Sequence, residues 1–553
     1  PHKGKTLTTR YFRDSRFANP FFEFVHHAAG FTDYATIRAD QASLESLLTN
    51  SERMAEILTE GLPVSIVTEV KNKDSRHGNN HGMFVGGVET EVFGRNAPLG
   101  NKMALQSVLI YITLSPEFVY RMELGMGEKD EHGRRMLSPH ELVYSIHHAF
   151  QNKPAFGVDD FKTINVYTKD SEAAIKKTLT EGNPGYNRNG WLAEEMRAGR
   201  LETRADVEKA VRKMLADRQH NMSPNHNSPS SGNPRILQFF REFFGYYKAP
   251  DVFKDTDKFA KIEGFKQFKK GTASQLRYDT DTLILHILQE DKNVLYELLT
   301  TNKVYASYWQ GSNSPDQIKK AGGKEKYAAT HGLQNYNLDP FEQAYDSKAS
   351  REKPALLAPQ EQRCGVLTQP SWLIAHSGNF DNDPVRRGKW IRENLLAGSV
   401  LDIPINVDAQ VPDDEHKTLR ERFAVVRVEQ CWRCHTKMNP LGMPFEAYNH
   451  VGRYRQQEVG KPVDSSGAIS HTGIPGLDGE VEGVREMMER IAGSELALQS
   501  FVRHVFRYWM GRNELLSDSK TLIAMENTYR DSEGSFNELL VSLLTSDSFI
   551  YRK

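Results

Sequence analysis

Cys431-Trp432-Arg433-Cys434-His435 is the segment of this chain whose residue types and spacing carry the most definite chemistry. Two cysteines three positions apart sit about one helical turn from each other, so each thiol can add across one vinyl group of a porphyrin. The histidine after the second cysteine then lies beneath the ring and ligates its iron. Two rival readings remain. A zinc site wants a second Cys pair or a His pair at matching spacing, and the third of the three cysteines, Cys364, stands alone far upstream. A thioredoxin-like dithiol wants a βαβ setting, which the flanking residues do not offer. The favoured expectation is one covalent haem c, tethered by Cys431 and Cys434, with His435 as proximal ligand.

The residues that follow fit a turn around such a ring. In Thr436-Lys-Met-Asn-Pro440-Leu-Gly442-Met443-Pro444, a backbone carbonyl near Pro440 is placed to accept the other ring N–H of His435. Met438, three residues after His435, stays on the proximal side as a packing residue of the pocket. The sixth iron position decides between carrier and enzyme, because a strong ligand there leaves electron transfer while an open site admits peroxide or O2. His376, in Ile374-Ala-His-Ser-Gly-Asn379, ranks first as distal ligand and Met443 second. Met487, Met488 and Met510 stand at spacings where small cytochromes place a distal Met. Arg386, Arg387 and Trp390 in DPVRRGKW, and Arg453-Tyr454-Arg455, offer partners for haem propionates. The alternative for both is ordinary salt-bridge chemistry.

Other chemistry-bearing residues read as structural. The neighbours His26-His27 and His147-His148 point about 100° apart on a helix and do not readily face one metal. His77 and His81 lie among Gly and Asn, as loop residues do. Asp381, Asp383, Asp464 and Asp478 stand near glycine-rich turns and suit turn chemistry better than calcium. Cys364 is expected to be a buried free thiol.

The elements that must position these residues are helices. Apolar residues at 3–4 spacing predict helices over Ser43–Leu58, Leu105–Glu123, Ser138–Phe150, Thr203–Asp217 and Ile236–Tyr247. Ser138-Pro139-His140-Glu141 carries a capping box. Alternating patterns are sparse, at Leu62–Val70 and Ala424–Val428. The class is therefore mainly α: several helical units with a cytochrome c-like haem-binding segment in the C-terminal third. The expected division is an N-terminal region 1–101, a helical domain 102–219, a surface linker 220–234, a helical domain 235–355, a haem-binding domain 356–480 and a C-terminal helical domain 481–553. The linker rests on HNMSPNHNSPSSGNP, too polar to order itself by burial. Ser115–Arg121 and Ser546–Arg552 echo one another as reused packing geometry.

Whole-chain quantities narrow the partners. The 553 residues carry 71 basic and 72 acidic side chains, a net charge of -1, which lacks the footprint of a nucleic-acid or acidic-membrane binder. The longest strongly apolar run, Val108–Ile112, falls far short of the ~20 residues a membrane span needs. The chain begins at Pro1 without Met or a charged-then-apolar leader and reads as a trimmed or partial chain, so a missing signal peptide here is no evidence for a cytoplasmic protein.

The run CWRCHTKMNPLGMPFEAYNHVGRYR resembles the haem segment of planctomycete cytochrome-like proteins, large secreted chains built from several uncharacterised domains. GVLTQPSWLIAHSGNFDNDPVRRGKWIRENLLAG before it, PVDSSG and LDG after it, ALQSVLIYITLSPEFVYRMELG and FVRHVFRYWMGRNE extend the resemblance over roughly 102–553. Members often carry a further CxxCH near the N-terminus; this sequence has none. The resemblance implies export to the periplasm or another extracytoplasmic compartment, covalent haem and a redox role. Three functions stay open: an electron-transfer cytochrome with a redox partner, a haem-dependent oxidoreductase with an open sixth site, and a structural or assembly protein stabilised by its haem. An oligomer is compatible with all three.

Overall fold

Helix starts and stops follow the local chemistry of the sequence. In this computed structural model, which describes residues 123–151, 190–216, 233–255, 270–305, 319–320, 322–323, 333–337, 356–357, 362–400 and 411–553, the chain is mainly helical. Ser138 caps α1 (Pro139–Phe150) through the expected box: its Oγ accepts from the Glu141 backbone N–H at 3.2 Å, and Glu141 accepts from the Ser138 N–H at 2.7 Å. α2 (Gly190–Arg197) and α3 (Arg204–Ala216) follow, the latter where Thr203–Asp217 was expected. The expected helix and strand over Ser43–Leu58 and Leu62–Val70, most of Leu105–Glu123, the first copy of the echo, and His26, His27, His77 and His81 lie outside the described residues.

Contacts divide the chain into two compact units, residues 1–211 with 550–553, and residues 212–549. Within the first unit, Arg135–Met136 pairs antiparallel with Tyr551–Arg552.

The second unit is organised around α4 (Pro234–Phe244). Pro234 occupies its first turn and Gly245, at φ 71°, closes it in the left-handed region, which stops the helix short of the expected Tyr247. The last two residues of the expected linker therefore begin a helix: Asn233 is buried and donates from Nδ2 to the Met214 carbonyl at 2.9 Å. Phe239, Phe240, Phe243 and Phe244 bury one face of α4. Their rings meet Phe501, Trp509 and Phe536 from the C-terminal helices, with Phe240 and Phe536 centroids 4.9 Å apart. Each such ring contributes a few kcal/mol of burial, on the order of 2–3. α5 (Lys270–Glu290) and α6 (Val294–Thr300) precede α7 (Pro370–Ala375) and α8 (Pro384–Asn394). Asp383 caps α8 by accepting from the Arg386 backbone N–H at 2.8 Å.

The CxxCH region continues with α9 (Leu419–Arg422), α10 (Glu429–His435) and α11 (Asn439–Gly442). Residues Phe423–Arg427 form a 3-10 helix where the alternation of Ala424–Val428 predicted a strand. Val425 and Val428 are exposed there, and an alternating run without a partner strand has nothing to bond its backbone to. α8 and α11 cross with almost no separation. A Cβ on Gly388 would sit 1.9 Å from the Met438 carbonyl oxygen, and one on Gly442 1.8 Å from that of Pro384. The hairpin Gly467–Ile469 with Gly479–Val481 packs on α11 in the same way, Gly467 lying against Pro440. α12 (Val484–Ala492), α13 (Glu495–Met510), α14 (Ser519–Asp531) and α15 (Phe536–Leu544) complete the unit.

Candidate functional site

α10 is built from the CxxCH residues and buries none of them. Its first turn closes on the Val428 carbonyl, which accepts from Cys431 and Trp432 at 3.0 and 2.8 Å. Cys431 and Cys434 are free, half-buried thiols about one turn apart. Apolar side chains stay uncovered beside them, with Val425 47% and Val428 58% exposed.

His435 is half-buried, and its Nδ1 lies 2.9 Å from Asn439 Oδ1. An amide oxygen only accepts, so Nδ1 is the donor, and in the neutral imidazole that tautomer leaves the lone pair on Nε2. The acceptor is thus the Asn439 side chain, in place of the expected carbonyl near Pro440. The cause is local: α11 begins at Asn439, and the Pro440 carbonyl is turned against Gly467.

A cavity of about 570 Å³ adjoins α10, lined by Trp432, Asn439, Pro440 and Met443, by Phe423, Arg420 and Arg427, and by Ser466, Gly467, Glu480, Val481, Glu482 and Glu486. The structure therefore brings Pro440 and Met443 together with Trp432 of the motif. Met443 is buried in a cluster with Leu419 and Phe423. Met438 is buried at the α8–α11 crossing, its carbonyl facing Gly388. Arg420, Arg427 and the three glutamates went unremarked in the sequence, since nothing in their spacing links them to the motif; α9, the 3-10 turn, the hairpin and the start of the helix Val484–Ala492 bring them there.

His376 and Trp390 occupy another setting. The His376 ring stacks on Trp372, centroids 4.3 Å apart at 24°, with Nδ1 3.0 Å from the Trp372 carbonyl. Burial pushes its pKa down to about 3, so the ring is neutral. Trp390 donates from Nε1 to the Phe243 carbonyl at 3.2 Å and stacks on Phe244. Both belong to the aromatic cluster around α4, and neither is among the residues lining the α10 cavity.

Arg387 is fully buried and spends every side-chain nitrogen on the fold. It donates to the carbonyls of His376, Phe445 and Leu373 and to Asn382 Oδ1, at 3.1–3.2 Å. The sequence offered it to a propionate; its donors are taken. Arg386 is half-exposed beside Asp383. Arg455 pairs with the buried carboxylate of Glu446 and with Glu458. Met487 and Met488 are core residues of α12 and Met510 ends α13. Asp383 caps a helix, Asp464 and Asp478 accept from Ser466 and Thr472 within their turns, and Asp381 makes a two-pronged ion pair with Arg422. Cys364 is buried, and burial pushes its thiol up to about 12.

A buried lysine amine stands behind this region. Lys254 donates from Nζ to Ser377 Oγ at 2.7 Å and to the Gly378 carbonyl at 2.6 Å. Burial, with Arg387 and Arg386 nearby, lowers its pKa to about 6.

Three family models match the chain, each described as a protein of unknown function: DUF1592 over residues 188–309, DUF1588 over 363–458 and DUF1585 over 478–549. These families are typical of planctomycete cytochrome-like proteins. The DUF1588 match encloses α7 through α11, and with them the cysteine pair and His435. No curated protein and no solved structure matches the chain.

Proposed function

We propose that this chain is an exported c-type cytochrome that carries one covalent haem c on α10 and passes electrons to or from a redox partner. The observation that carries the reading is the pair of free thiols one turn apart on a helix that buries nothing, followed by a histidine whose Nδ1 is already bonded. The donor set fits the group. Thiols at i and i+3 match two vinyl positions, an imidazole with a free Nε2 matches iron, and the uncovered Val425, Val428 and half-buried Trp432 match an apolar ring. Each thiol adds across its double bond with sulfur on one carbon and hydrogen on the other, so attachment needs no oxidant. When bound, the haem supplies a one-electron iron couple. Asn439 orients His435, and Met443 is the sixth-ligand candidate that lines the adjoining cavity.

The cytochrome-associated families matched on both sides of the motif support the reading. Among the described residues no helix is long and apolar enough to cross a membrane. Covalent haem attachment is completed outside the cytoplasmic membrane, which supports a periplasmic or other extracytoplasmic site of action.

Mass spectrometry of the chain produced together with a haem-attachment system tests this directly. One haem is expected on the wild type and none on Cys431→Ala/Cys434→Ala; an unmodified wild type sinks the reading. With Met443 as the sixth ligand, carbon monoxide added to the reduced protein would leave the absorption spectrum unchanged. A spectral change would move the reading to a haem oxidoreductase with an open site.

A further inference from the structure

Arg427 ends the 3-10 turn directly before α10 and lines the cavity beside that helix. It also borders the adjoining cavity bounded by Lys417 and Lys461, so it stands between the two. The residue is exposed, and among the described residues it makes no hydrogen bond and no ion pair. The other cation of the α10 cavity is tied down. Arg420 donates from Nε to the Asp464 carbonyl at 3.1 Å and from Nη2 to the Ser466 carbonyl, with the Asp464 carboxylate beside it. Burial lowers the Arg420 pKa, and the Arg427 charge is near enough to add to that. Two guanidiniums that face one cavity repel each other until an anion joins them.

The acids of the same cavity do not supply that anion. Glu486 accepts from the Glu482 backbone N–H at 2.9 Å and pairs with Arg490, and among the described residues neither Glu480 nor Glu482 forms an ion pair with Arg420 or Arg427. The cavity is otherwise apolar where Phe423, Trp432, Pro440 and Met443 line it. Such walls suit a ligand with a flat apolar body and a carboxylate at its edge, since a guanidinium fork presents parallel N–H groups to two carboxylate oxygens. A porphyrin has that form, apolar over its faces and anionic at the edge remote from its vinyl groups. Arg386, Arg387, Arg453 and Arg455, the candidates offered by the sequence, are not among the residues that line this cavity.

We propose that Arg427, beside the fixed Arg420, receives a propionate of the tethered haem and so positions the ring at the α10 cavity. This rests on the haem reading above. Resonance Raman spectra of the haem-loaded chain test it through the propionate bending band, which follows hydrogen bonding at the carboxylate. Arg427 bonds nothing in the fold, so Arg427→Gln is expected to fold and to load one haem while that band shifts. The band is also expected to shift in Arg427→Lys, which keeps the charge and loses the fork. Arg433→Gln removes an exposed arginine of α10 that does not line the cavity, and it is expected to leave the band in place. A band unmoved in both Arg427 variants overturns the proposal, and so does one that moves as far in Arg433→Gln. An Arg427→Gln chain that folds but takes no haem overturns it as well, because the residue then belongs to attachment. Mass spectrometry separates the two failures: a wild type without attached haem defeats the cytochrome reading, whereas a loaded wild type whose band ignores Arg427 defeats this assignment alone.

Discussion

Asn439 fixes what kind of ligand His435 can be. With Nδ1–H donated to its amide oxygen at 2.9 Å, the imidazole is more electron-rich at Nε2 and, on the proposed haem reading, would hold ferric iron better. Asn439→Leu keeps the volume and removes the acceptor. Potentiometry on the haem-loaded variant is expected to give a midpoint potential above that of the wild type; an unchanged or lower value would show that the bond does not tune the iron. Lys254 makes a second residue-scale prediction. Its folded pKa, about 6, lies below the ordinary 10.5, so between those values the unfolded chain binds the extra proton. Stability should therefore rise with pH from about 6 towards 10, by several kcal/mol in all. Lys254→Met should flatten that slope in urea titrations at pH 6.5 and 9. Legibility at this scale was uneven. CxxCH announces itself because its spacing encodes a covalent geometry. Asn439 does not, because an Asn four residues after a His is ordinary until the turn between them is known. In RRGKWIR the sequence offers Arg386 and Arg387 to a carboxylate, yet the register on α8 turns Arg387 inward to three carbonyls and leaves only the terminal nitrogens of Arg392 without partners.

Among elements, the crossing of α8 with α11 controls where the site sits. Gly388 and Gly442 are reciprocal: each lies where the other helix's backbone passes, at distances no side chain tolerates. Gly388→Ala and Gly442→Ala should each destabilise the fold by about 2–3 kcal/mol or more, read as a lowered urea midpoint with an unchanged slope. Gly460→Ala makes the contrasting case, since nothing lies within 4 Å of its added Cβ and only the positive φ of 77° resists. That substitution should cost about 1 kcal/mol. Helix starts were legible because Ser138, Asp383 and Pro234 write their caps locally. The crossing was not, because a glycine that lets two backbones touch looks like any other glycine in a helix. The 3-10 turn at Phe423–Arg427 was misread for a related reason: alternation is a β signal only when another strand is present to complete it.

For the whole molecule, the balance of charge sets how a partner arrives. The net charge of -1 gives little long-range field, and the walls of the α10 cavity repeat the balance with Arg420 and Arg427 against Glu480, Glu482 and Glu486. Stopped-flow reduction by a cationic and by an anionic small complex of matched potential should respond weakly to salt. The expected change is within about twofold between 10 and 200 mM for either reagent. A steep dependence on one sign would reveal a docking patch that the summed charge conceals.

α10 adds one thing of a different kind, which concerns timing. Around it, α8, α11 and the Gly467 hairpin lock together by backbone contact, and Arg387 ties the carbonyls behind them, while α10 itself contributes no buried side chain. A segment the core does not need can be worked on after the core is finished. On the proposed haem reading, attachment would then be able to follow folding, with both thiols presented on a completed surface.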